Sequence, residues 1–250
     1  MKDYSAIAEQ FCKQYPDIKN YRVLEVGSDV RGGLLTAMVP HVREIIGLNI
    51  IGTNRQIAPN ARFEHGDIRG TSYPDNSFDL IISYAVFEHV GSFDVAMREM
   101  QRLLKPGAEL VSSFGPIWSC MWGHHVWVAL PDFKQTYIDA PYMPPWCHLL
   151  MTPVELRDRM APVLPAKALE KVVTFVFESN EQNRFFHASY LEAFRNSGLE
   201  SLSLKSNRNL RLENAYLAGG PPIETYLPQL EARYGPGDYL SASFSIRMRK

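Results

Sequence analysis

The chain has 250 residues, 46% of them apolar, and a formal net charge of −1. That composition supports a full core and argues against disorder, and the near-zero charge argues against nucleic acid or an anionic membrane as the main partner. Cys12, Cys120 and Cys147 form no CxxC pair and no evident disulfide framework. With no apolar signal segment and no run long enough to span a bilayer, a cytoplasmic protein is expected, with no membrane partner.

Residues 3–15 space Tyr4, Ile7, Ala8, Phe11, Cys12 and Tyr15 along one helical face, ended by Pro16. Residues 21–33 then read as a buried strand (Val23, Leu24, Val26), a tight turn at Gly27, and the start of a helix that runs from about Gly33 to Val39. Strands are expected over 43–50, 61–68, 78–84 and 109–114. The helix before the last of these carries Phe93, Ala96, Met97, Met100, Leu103 and Leu104, and closes at Pro106-Gly107. Such alternation of strand and helix means crossover units and a mostly parallel sheet.

The period fails over 115–150, which is dense in Trp, Pro and His: Trp118, Trp122, His124, His125, Trp127, Pro131, Pro141, Pro144, Pro145, Trp146 and His148. A long irregular stretch inside a compact domain is usually a lid or binding loop. Thr152-Pro153-Val154-Glu155 has the residues of a helix start, and Ser189 to Glu192 suggests another. A strand is expected at 172–177, and edge strands at 199–205 and 239–248. The whole reads as one α/β domain over 1–250: a doubly wound, seven-stranded, mostly parallel sheet with an aromatic and His-rich cap. Segments 117–186 and 206–238 are the cap insertions.

Five pieces stand in order at strand ends: Leu24-Glu25-Val26-Gly27-Ser28, Gly66-Asp67-Ile68, Asp75 to Leu80, Phe87-Glu88-His89-Val90 and Leu104-Lys105-Pro106-Gly107. Together they resemble the class I, Rossmann-like, S-adenosylmethionine (SAM)-dependent methyltransferases, in the small-molecule branch. The resemblance covers residues 20–115 and implies SAM as cofactor. It implies that Gly27 and Ser28 pass beneath the methionine portion and that Glu25 reaches its amino group. Asn49, with Ile50 beside it, would hold the ribose hydroxyls. Asp67 would accept from the adenine amino group beside Ile68, and the carbonyl near Ser83 would touch the methionine amine. Two positions depart from the family pattern. Asp29 and Arg31 stand where further glycines are usual, and Asn49 stands where an acid is usual. The loss of a charge-assisted bond at Asn49 implies weaker SAM binding.

The insertion would hold the acceptor, a small metabolite or sugar methylated on oxygen or nitrogen. A neutral histidine takes a proton readily near physiological pH, so His124 and His125 are the candidate bases. Trp118, Trp122 and His148 are candidate substrate contacts. The histidines with Cys147 match no standard metal spacing, and no metal is expected. Two other SAM-fold outcomes fit the same departures: intramolecular cleavage releasing methylthioadenosine, and a binding module without activity. A nicotinamide enzyme is disfavoured, because the turn lacks G-x-G-x-x-G spacing.

Overall fold

The computed structural model describes residues 3–138 and 143–250. Pro141 therefore lies outside the described residues. The chain divides into two compact units. Unit 1 comprises residues up to 114, 192–205 and 245–250, and unit 2 comprises 115–191 and 206–244.

Unit 1 opens with helix α1 (Tyr4–Gln14), capped by the Asp3 carboxylate, which accepts from the Ala6 N–H. Strand β1 (Arg22–Val26) leads through the Gly27 turn to α2 (Gly33–Met38). Then come β2 (Glu44–Asn49), β3 (Arg55–Ala58), β4 (Ala61–His65), β5 (Phe78–Tyr84), α3 (Phe93–Leu103) and β6 (Leu104–Phe114). Strands β1, β2, β4, β5 and β6 pair in parallel. β1, β2 and β5 are buried on both faces, which is why they read as near-continuous apolar runs. One face carries Val23, Ile45, Leu80 and Ile82 against Phe11 of α1 and Leu34, Leu35 and Met38 of α2.

The sheet runs β3-β4-β2-β1-β5-β6-β10-β9, with β9 (Glu200–Asn207) and β10 (Ser243–Arg249) at one end. It has eight strands where the sequence suggested seven. The added one is β3, a short polar edge strand antiparallel to β4, without the apolar alternation that marks a buried strand. β6 begins earlier than expected, because Leu104 already pairs with Phe78 of β5.

Unit 2 holds the hairpin β7 (Trp127–Leu130) and β8 (Phe133–Thr136), then α4 (Cys147–Leu150), α5 (Pro153–Met160) and α6 (Ala166–Glu178). α7 (His187–Arg195) begins here, and α8 (Leu210–Leu217) and α9 (Leu227–Tyr234) complete it. The strand expected at 172–177 is instead the second half of α6. Ala168, Leu169, Val172, Val173 and Val176 are buried on one helical stripe, and that period overrides the β preference of the valines. The capping box at Thr152 forms as its residues require: Glu155 N–H donates to Thr152 Oγ1 and Thr152 N–H to Glu155 Oε2. α7 begins at His187, two residues before Ser189, so the Ser189 box does not cap it.

Candidate functional site

In unit 1 the parallel strands end side by side, and ligands of open α/β sheets bind beyond such ends. Val26 of β1 is level with Leu48 of β2 and Ser83 of β5, and Asn49 of β2 is level with His65 of β4. Glu25, Asn49, Asp67 and Ser83 therefore stand at or just past the ends of four neighbouring strands. Three strand spacings span about 14 Å, suited to a nucleoside with an amino-acid tail laid across the edge.

The turn is held from within. Gly27 and Ser28 both donate their N–H to the Leu48 carbonyl. Gly27 sits at φ +74°, and a Cβ there would lie 2.1 Å from a methyl of Val86. Only glycine serves, because the backbone is left-handed and Val86 closes over it. Ser28 is fully buried and donates to Glu25 Oε2 at 2.8 Å, and Ser83 Oγ donates to the Val26 carbonyl at 3.1 Å.

Asn49 joins two loops. Its Nδ2 donates to the Ser28 carbonyl at 2.8 Å, and its Oδ1 accepts from the Ile51 N–H at 3.0 Å. An acid here has no proton for the Ser28 carbonyl, so the amide has a structural reason to replace the family's carboxylate. One N–H of Nδ2 and one lone pair of Oδ1 remain for a ligand. Beside it Ile50 and Ile51 are 64% and 65% exposed, while Ile68 is buried. Asp67 accepts from the Arg69 N–H and guanidinium, which holds its carboxyl below the usual range. Asp29 takes the place of a family glycine by capping its own turn. Its Oδ1 accepts from Arg31 N–H, and its Oδ2 from Tyr4 Oη at 3.3 Å. Val86 and Arg69 carried no sequence signal beyond chain proximity to the motifs, and Tyr4 only its place on the helical face of residues 3–15.

This edge fits SAM in the chemistry of its donor set: a buried acid, an amide with a free donor and acceptor, an acid at the next strand end, and exposed branched side chains as an apolar bed.

In unit 2 the aromatic and His residues form a connected group. Trp118 and His148 rings are 4.5 Å apart, His148 and His124 5.8 Å, His124 and Tyr216 6.1 Å, and Tyr216 and Trp122 5.6 Å. His124 is buried with both ring nitrogens engaged. Nδ1 accepts from the Val126 N–H at 3.2 Å, and Nε2 lies 3.3 Å from Tyr216 Oη, whose proton goes to the Tyr137 carbonyl. Burial pushes its pKa well below the ordinary value, so it stays neutral. The ring of His125 lies 4.7 Å from that of Tyr137. His148 is 7% exposed, donates from Nε2 to the Trp118 carbonyl at 2.7 Å, and has its pKa lowered by burial to about 4. Burial raises the Cys120 thiol and pushes Cys147 up to about 12, so neither is a thiolate at neutral pH. Among the described residues, no group of three or more His, Cys, Asp or Glu is placed to hold a metal, and no helix is long and apolar enough to cross a membrane.

Residues 24–112 match the family model for a methyltransferase domain. An uncharacterized methyltransferase, YcgJ, of Bacillus subtilis is 30% identical over 107 residues, covering 38% of this chain and 42% of that protein. A fatty-acid O-methyltransferase of Mycolicibacterium smegmatis is 32% identical over 133 residues, covering 50% and 45%. The chain thus spans less than half the length of these curated relatives. A SAM-dependent methyltransferase structure from Mesorhizobium loti superposes with TM-score 0.54 at 15% identity, covering 99% of this chain and all of that one, a likeness of fold. Residues 24–112 are thus similar to a methyltransferase domain, and over its whole length the chain shares the fold of a SAM-dependent methyltransferase structure.

Proposed function

We propose that the chain transfers the SAM methyl group to an oxygen or nitrogen of a small molecule. The observation that carries this reading is the alignment of Glu25, Asn49, Asp67 and Ser83 across four adjacent strand ends. Glu25, oriented by Ser28, would hold the cofactor's ammonium. The spare donor and acceptor of Asn49 would meet the ribose hydroxyls, Asp67 would accept from the adenine amine, and Ile50 and Ile68 would bracket the ring. When bound, SAM supplies a methyl carbon activated by a sulfonium. The chain's own work is then alignment and exclusion of water, worth roughly 7–11 kcal/mol in favourable cases. Trp118, Trp122 and His148 are proposed to receive the acceptor, and His124 and His125 are the earlier candidates for its proton. The curated relatives support a small acceptor: one is named for O-methylation of fatty acids and another, ajmaline N-methyltransferase of Rauvolfia serpentina, for N-methylation.

The test is calorimetry with S-adenosylhomocysteine. Binding is expected, weakened about tenfold by Glu25→Gln or Asp67→Asn, the scale of one charge-assisted hydrogen bond. No binding would overturn the reading. Methylthioadenosine formed from SAM with no acceptor present would replace methyl transfer with intramolecular cleavage.

A further inference from the structure

His148 and Gln182 are fixed in the same way on one short segment of unit 2. His148 Nε2 lies 2.7 Å from the Trp118 carbonyl, which can only accept, so the proton is on Nε2 and Nδ1 carries a bare lone pair. Gln182 Nε2 donates to the Pro116 carbonyl at 3.2 Å, so its Oε1 is likewise left as an acceptor. Both His148 Nδ1 and Gln182 Oε1 are buried without a hydrogen-bond partner. The Trp118 carbonyl is itself held: a Cβ on Gly123 would lie 2.2 Å from it, so the turn has closed as far as glycine permits. The orphan nitrogen is therefore presented by a fixed frame.

A buried acceptor left without a partner is costly, and a ligand donor recovers that cost on binding. Each such acceptor asks for an O–H or N–H group. The Arg184 guanidinium lies 5.0 Å over the Trp118 ring and is committed to the Phe177 and Ser179 carbonyls. Its charge disfavours a cation at the same place, and the Trp118 ring offers an apolar face.

We propose that His148 Nδ1, beside Trp118, binds an uncharged ligand through its hydroxyl or N–H group, with the ligand's apolar body on the Trp118 ring. The proposal rests on the methyl-transfer reading only in taking that ligand as the acceptor. It selects His148 over His124, because the hydrogen bonds of His124 already use both nitrogens. His148 then acts by positioning the acceptor.

The experiment is histidine-ring 15N NMR on the whole protein with 4-methylphenol as donor probe and its methyl ether, 4-methylanisole, as the same body without the donor. The phenol is expected to move the His148 Nδ1 resonance upfield and the ether to leave it. The phenol is also expected to bind about tenfold more tightly, the scale of one good hydrogen bond. His148→Gln keeps a donor toward the Trp118 carbonyl and removes the Nδ1 lone pair, so it is expected to abolish that preference. A Nδ1 signal unmoved up to the solubility of the phenol, or moved equally by the ether, overturns the proposal. The wild-type readout stands if the variant fails to fold. Calorimetry with S-adenosylhomocysteine, run on the same sample, separates a failed donor site from a failed methyl-transfer reading.

Discussion

At the sheet edge of unit 1, the polar groups of the proposed cofactor site are held by their near neighbours: Ser28 on the Glu25 carboxylate, Asn49 on the backbone of Ser28 and Ile51, Ser83 on the Val26 carbonyl. In unit 2, His148 and Gln182 each spend one polar atom on a carbonyl and leave the other buried and bare. The first arrangement pre-sets a shape that a common cofactor can enter. The second leaves hydrogen-bonding capacity unspent, as a site selecting one chemistry among many requires. On the proposed reading, ligand choice would rest on a different kind of contact from the one that shapes the sheet edge.

The sharpest way to break the comparison is at the closed turn. Gly27→Ala sets a Cβ 2.1 Å from a Val86 methyl at φ +74°. The expected loss is roughly 2–5 kcal/mol from overpacking and left-handed strain together. Adding Val86→Ala should recover the steric part and leave about 1–2 kcal/mol of backbone strain. Urea unfolding of the single and double variants measures both. Equal losses would mean that Val86 does not close the turn.

Acid tests the other side. His148 is neutral and buried, with its pKa lowered to about 4 by desolvation. The folded state then binds fewer protons than the unfolded one between about pH 6.5 and 4. The stability His148 contributes is full above pH 6.5, falls as pH drops, and is gone below about 4. A shift of this size corresponds to about 3 kcal/mol. The difference in stability between wild type and His148→Gln, followed by thermal melts from pH 8 to 4, cancels the carboxylates common to both. It should narrow across that window in favour of the variant, and a flat difference would mean that His148 is solvated.

How far the sequence foretold these sites follows from periodicity. Val23, Leu24 and Val26, then Phe78 to Ser83, could lie only in buried parallel strands, and the family motifs fixed their order. β3 escaped because Arg55 and Gln56 give an edge strand no apolar alternation, and 172–177 misled because valine favours strands where a helical stripe of burial decided otherwise. Residues such as Asn49 were recognisable by position, but their hydrogen bonds were not. The hydrogen-bond partner of His148, the Trp118 carbonyl, lies thirty residues earlier in the chain, and no local pattern connects the two.

Asn49 separates the two units' logic at smaller scale. By family analogy alone, Asn49→Asp should tighten SAM binding through a charged bond to the ribose. The structure predicts the reverse, because the aspartate cannot donate to the Ser28 carbonyl and would face it with like partial charge. Calorimetry with S-adenosylhomocysteine should show binding weakened several-fold, up to about tenfold for one lost hydrogen bond. Tighter binding would show that the loop tolerates the loss and that ribose contact governs affinity.

The smallest effect concerns a part of unit 2 that follows a local rule. The Thr152 hydroxyl accepts from Glu155 N–H, and the Glu155 carboxylate accepts from Thr152 N–H, so each satisfies a donor the first turn of α5 leaves open. Thr152→Ala should cost about 1 kcal/mol, a Tm decrease of about 2–4 °C for a chain of this size. Glu155→Gln should cost less, since the amide carbonyl still accepts the same N–H. Neither change should move the His148 Nδ1 resonance if the frame of Trp118, Gly123 and His148 is independent of the cap. A shifted resonance would mean that α5 sets the frame, and that His148 Nδ1 owes its position to a helix start as well as to the turn at Gly123.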